Sequence, residues 1–129
     1  CLEGAWDPKL TDPSTVRPLL ELLAGRKEIK FIHKDVATVN ELQHYLNKWL
    51  QTQYESFSVG FLAFHGTRGK LSLGRRQVTL EMLAEFIGGR GSGRILHFSS
   101  CSTLDTDRTR ISSKSPVTRM ATNRFSPGR

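Results

Sequence analysis

Cysteine is nearly absent from this chain: Cys1 and Cys101 are the only two in 129 residues. Their separation excludes a compact disulfide framework and a CxxC metal pair, so a reducing compartment, the cytoplasm, is the simpler expectation. Long apolar runs are missing as well. Nothing approaches the ~20 consecutive apolar residues that span a bilayer, and no basic leader precedes a signal-type apolar core, so no membrane is expected among the partners. The sequence starts at Cys1 without Met, and a missing upstream segment is expected. No internal repeat is visible. The glycine-rich stretch Gly88-Gly89-Arg90-Gly91-Ser92-Gly93 resembles a phosphate loop only in composition. It follows a helical pattern, precedes a strand and lacks Gly-Lys-Ser/Thr. His33, His44 and His97 complete no tetrahedral zinc set and read as structural histidines. No cofactor or metal is implied.

What is present suits one soluble domain, with 37% hydrophobic and 24% charged residues. A net charge of +7 raises nucleic acid as a partner. Its distribution argues against that. Residues 105–129 carry six basic groups (Arg108, Arg110, Lys114, Arg119, Arg124, Arg129) against Asp105 and Asp107, so more than half of the imbalance belongs to that stretch. The stretch is also rich in Ser and Thr, and Ile111, Val117, Met120 and Phe125 are too scattered to form a face, so a poorly ordered tail is expected there. The division is therefore a folded α/β domain over 1–104 and a basic tail over 105–129.

Along the chain, Cys1–Trp6 reads as the end of a strand, followed by a turn-rich loop marked by Asp7-Pro8 and Asp12-Pro13. Ser14 or Thr15 can cap a helix from about Val16 to Ala24, with Leu19, Leu20, Leu22 and Leu23 as its apolar face and Gly25 ending it. Glu28–His33 alternates as a strand. Thr38 and Glu41 form a capping box ahead of Val39, Leu42, Tyr45, Leu46, Trp49 and Leu50, the clearest amphipathic helix of the chain, expected to reach about Gln53. Thr67–Arg76 reads as a hairpin flap, and Thr79 caps a helix carrying Leu80, Leu83, Phe86 and Ile87 before Gly88-Gly89. Trp6, Trp49 and Tyr45 read as packing residues.

Two apolar runs stand out. Ser58–Phe64 ends in His65-Gly66, and Arg94–Phe98 ends in Ser99-Ser100-Cys101. Both have the length and composition of buried parallel strands, and strands of an open α/β sheet deliver their last residues to the carboxyl edge, where sites form. A strand-end thiol is often only a small core residue. Here Cys101 stands where the strand leaves the sheet, and His65 is followed by Gly66, whose backbone a carbonyl can approach closely. A histidine beside a thiol can act as base and favour the thiolate.

An apolar block ending in His-Gly, a glycine-containing hairpin, a helix, and an apolar block ending in a small residue and Cys resemble the clan of caspase-like cysteine peptidases, which includes caspases, metacaspases, separases and bacterial CHAT-type domains. Phe61-Leu62-Ala63-Phe64-His65-Gly66 and Leu96-His97-Phe98-Ser99-Ser100-Cys101 carry the likeness. It implies a three-layer α/β/α fold with a mainly parallel sheet over about residues 1–104. It further implies that Cys101 attacks a peptide carbonyl, that His65 protonates the leaving amine, and that the N–H groups of Gly66 and Cys101 hold the oxyanion. The loop after the first strand, with Glu3 and Asp7, would select a basic side chain of a peptide or protein substrate.

The likeness stops near Leu104. Caspase-like domains continue with further strands and helices, whereas 105–129 shows no such pattern, so a truncated domain, a diverged or frame-shifted C-terminal stretch, or a degenerate remnant is expected. Two other readings stand beside the peptidase: a caspase-like scaffold without activity that serves as an interaction module, and a nucleic-acid binder that uses the basic tail. The substrate and the oligomeric state are not legible in the sequence.

Overall fold

The two apolar runs form the centre of a parallel sheet. In the computed structural model, which describes residues 1–100 and the backbone of 119–122, β3 (Val59–Ala63) pairs with β7 (Ile95–Ser99) over five residues, with Val59 opposite Ile95 and Ala63 opposite Ser99. On the far side of β3 lies β1 (Leu2–Glu3), and beyond it β2 (Lys34–Asp35). On the other side of β7 lies β8 (Arg119–Thr122). The order is β2-β1-β3-β7-β8, with every neighbour parallel. The protein is thus a small α/β domain with a parallel sheet.

Parallel neighbours need crossovers, and helices supply them. α1 (Arg17–Gly25) connects β1 to β2, and α2 (Val39–Trp49) connects β2 to β3, with a 3₁₀ turn (Thr52–Tyr54) after it. Between β3 and β7 the chain makes an antiparallel three-stranded sheet, β4 (His65–Thr67), β5 (Lys70–Leu73) and β6 (Arg76–Thr79), and then α3 (Leu80–Ile87). The expected flap is therefore larger than one hairpin, and His65 opens its first strand. Thr38 accepts from the Glu41 N–H while the Glu41 carboxylate accepts from the Thr38 N–H, so the capping box forms as expected. Thr79 likewise accepts from the Met82 N–H, and Gly88 closes α3 in the left-handed conformation.

Strand alternation sorts the two sheet faces. Leu62 and Phe64, Leu96 and Phe98 point toward α2 and α3, where they meet Leu42, Leu46, Leu83 and Ile87 in one core that Leu71, Leu73 and Val78 of the small sheet extend. Each such side chain contributes ~1.5–3 kcal/mol of burial. The opposite face is more open: Phe61 stacks on His97 with ring centroids 5.0 Å apart, while Val59 is 52% and Ile95 38% exposed.

Four expectations are corrected. α1 buries none of its residues, and Leu19 and Leu22 face solvent rather than a core. Val16 rather than Ser14 or Thr15 stands at its N-cap, yet the Thr15 hydroxyl accepts from the Arg17 N–H at 3.1 Å while it donates to Glu3. The second strand is Lys34–Asp35, not Glu28–His33, because β1 is only two residues long and its register sets Leu2 against Lys34. Within the stretch read as a poorly ordered tail, Arg119–Thr122 forms β8. No helix among the described residues is long and apolar enough to cross a membrane.

Candidate functional site

At the carboxyl edge of the sheet, the residues that follow β1 and β3 come together. After β3 the chain passes from the parallel sheet into the small antiparallel one, with Phe64 fully buried and His65 exposed. Gly4 lets the Phe64 side chain pack there. A Cβ on Gly4 would stand 2.5 Å from the Phe64 ring, so only glycine lets the Phe64 ring settle against the end of β1. The Gly4 N–H also donates to the Ala63 carbonyl at 2.9 Å, the last sheet bond before both strands leave.

His65 then points back over the loop after β1. Its Nε2–H donates to the Trp6 carbonyl, and the two rings meet edge-on at 5.3 Å. A carbonyl can only accept, so this bond places the proton of the neutral imidazole on Nε2 and leaves Nδ1 as the basic nitrogen. Gly66 is half-buried in β4, opposite Leu71.

Glu3 departs from the expectation of a substrate-facing carboxylate. It is 2% exposed and takes four donors. Oε1 accepts from the Trp6 indole N–H and from the Val16 N–H at 2.8 Å; Oε2 accepts from the Thr15 hydroxyl at 2.7 Å and from His33 Nε2 at 2.6 Å. Those bonds use all the lone-pair directions a carboxylate offers, so Glu3 has no capacity left for a substrate cation. Burial pushes its pKa up, but the bonds from Trp6, His33, Thr15 and Val16 outweigh burial and hold it below the ordinary range. Asp7 is exposed, and its carboxylate accepts from the Lys9 N–H. Ligand atoms of Glu3, His33 and Asp35 lie within 4.8 Å of one another. With Glu3 saturated, that group reads as a hydrogen-bonded carboxylate rather than as a metal centre.

Ser99 and Ser100 are half-buried at the end of β7. Cys101 lies outside the described residues, and so does its expected oxyanion N–H. The parallel register still relates the two blocks: Ala63 is opposite Ser99, and His65 and Cys101 each follow their paired residue by two. The sequence did not single out the Trp6 carbonyl or the role of Glu3. The available signal was an acidic residue inside an otherwise apolar strand end, three positions before a tryptophan.

Comparison with known proteins gives a match over residues 1–118 to a family of unknown function, DUF6642. No curated protein and no solved structure matches the chain.

Proposed function

This chain belongs to the DUF6642 family, and we propose that it acts as a caspase-like cysteine peptidase, with the three-layer topology of that clan and with Cys101 and His65 as its dyad. One observation carries the reading. β3 and β7 are adjacent and parallel, with Ala63 opposite Ser99, so the strands that precede His65 and Cys101 end side by side at the carboxyl edge of the sheet. The free Nδ1 of His65 supplies the base that a thiol nucleophile needs.

In this mechanism the Cys101 sulfur, having given its proton to His65, adds to the carbonyl carbon of a peptide bond. The N–H groups of Gly66 and Cys101 stabilise the oxyanion. The C–N bond breaks as His65 returns the proton to the leaving amine. Water then adds to the thioester, releasing the carboxylic acid and restoring the thiol. Because Glu3 is buried and saturated, selection of a basic side chain rests on Asp7. The cytoplasm, where thiols stay reduced, suits this chemistry.

Incubation with a varied set of electrophilic peptide probes tests the proposal. Mass spectrometry is expected to find the adduct on Cys101 rather than Cys1, and His65→Ala is expected to slow labelling ~10²–10⁴-fold. A folded protein with no Cys101 adduct across the probe set would sink the idea.

A second reading, an inactive scaffold that binds a partner, is favoured by the open sheet face with Val59 and Ile95 side by side, together with the exposed Leu19 and Leu22 of α1. Partner binding retained in Cys101→Ala and His65→Ala, with no turnover in the parent, would select it.

A further inference from the structure

We infer that Glu3 is a positioning residue for His65, acting through Trp6. The inference rests on the peptidase reading only for the chemical use of His65; the structural linkage stands apart from it.

Three observations carry it. First, the chain leaves the sheet after Gly4, Ala5 is exposed, and residues 6–9 form a bend. Among the described residues the polar contacts of Trp6 are two: its indole N–H donates to Glu3 Oε1, and its carbonyl accepts from His65 Nε2. The loop at Trp6 is therefore held to the domain by its side chain, and its carbonyl is carried along. Second, Glu3 is itself immobilised. It stands in β1 opposite Asp35 and Ala63, and the Val16 N–H, the Thr15 hydroxyl and His33 fix both carboxylate oxygens. Third, His65 is exposed and its ring packs edge-on against Trp6. An exposed imidazole without such a brace samples several rotamers and both neutral tautomers.

Together these make a relay from a buried carboxylate to an indole, then to a backbone carbonyl and to the imidazole. Its effect is to keep the proton on Nε2 and to aim Nδ1 in one direction. Glu3 thus contributes to the site without touching a substrate, and an acidic residue at the end of β1 acquires a role different from side-chain selection.

The test uses the full chain labelled with ¹⁵N, with long-range ¹H–¹⁵N spectra of the imidazoles recorded well above the ~6.5 at which histidine ordinarily titrates. The parent should show His65 as the Nε2–H tautomer alone. Trp6→Phe keeps the backbone carbonyl and an aromatic ring but removes the indole donor. It is expected to give mixed His65 tautomers and, where the parent labels, a ~10–100-fold slower reaction at Cys101. Glu3→Leu, which leaves the indole no acceptor, should also give mixed His65 tautomers; if it does not fold, Trp6→Phe decides. Thr15→Val removes one donor from Glu3 but leaves the indole bond, and should leave His65 unchanged.

A folded Trp6→Phe protein with a pure Nε2–H tautomer would overturn the inference, as would mixed tautomers at the parent's labelling rate. A parent that does not label at all would defeat the peptidase reading, while the tautomer spectra would still decide the relay.

Discussion

At Glu3 burial raises the carboxyl pKa, and the donors from Trp6, His33, Thr15 and Val16 more than reverse it, leaving the group below its ordinary value of 4.5. The unfolded chain therefore takes up this proton more readily than the folded one. Stability from Glu3 is complete above about pH 4.5 and is lost as pH falls from there through the folded value. Denaturant titrations along a descending pH series should show that loss, and Glu3→Gln should flatten it while lowering stability at neutral pH. Packing sets another limit at Gly60. A Cβ there would stand 2.8 Å from Trp49 and 3.0 Å from Leu96. Trp49 has little room to yield, since its indole N–H donates to the Phe57 carbonyl at 2.6 Å and the Arg94 guanidinium lies 5.4 Å from its ring centroid. Gly60→Ala should cost about 1–3 kcal/mol by overpacking, measurable as a lower denaturant midpoint.

Among the elements, α1 and α2 have similar leucine patterns and opposite fates. Leu42 of α2 is fully buried in the core, whereas Leu22 of α1 is 63% exposed. Leu42→Ala is expected to cost about 2–5 kcal/mol. Leu22→Ser should stay within about 0.5 kcal/mol of the parent in the same unfolding assay. Periodicity alone could not separate them, because it reports an apolar face and not what covers that face. By contrast, α2, α3 and the two central strands were legible: Thr38 with Glu41 and Thr79 with Gly88 mark helix ends by local hydrogen bonding and backbone conformation, and local signals survive without tertiary context. The position of β2 was not legible, since it depends on where a two-residue neighbour ends rather than on the alternation in Glu28–His33. Nor was β8, whose four residues carry no run of their own and pair along the outer edge of β7. At the site, His65 could be read from its block. The turning of Glu3 inward could not, because it depends on Thr15, Val16 and His33 arriving from elsewhere in the chain.

For the molecule as a whole, the central strand β3 cannot be completed until distant segments meet: Leu2 pairs with Leu62, and Ala63 with Ser99. Contacts of such separation must close long loops before they stabilise anything, which slows folding relative to a helical bundle of equal size. During synthesis, β1 emerges first and waits through α1, β2 and α2 before its central partner exists. A two-residue strand has little to hold it meanwhile. The parallel seam that ends with Ala63 beside Ser99 is thus also a timing device: the Glu3 carboxylate and His65 are joined only after the middle of the chain has been made, so the candidate site is among the later parts of the fold to assemble.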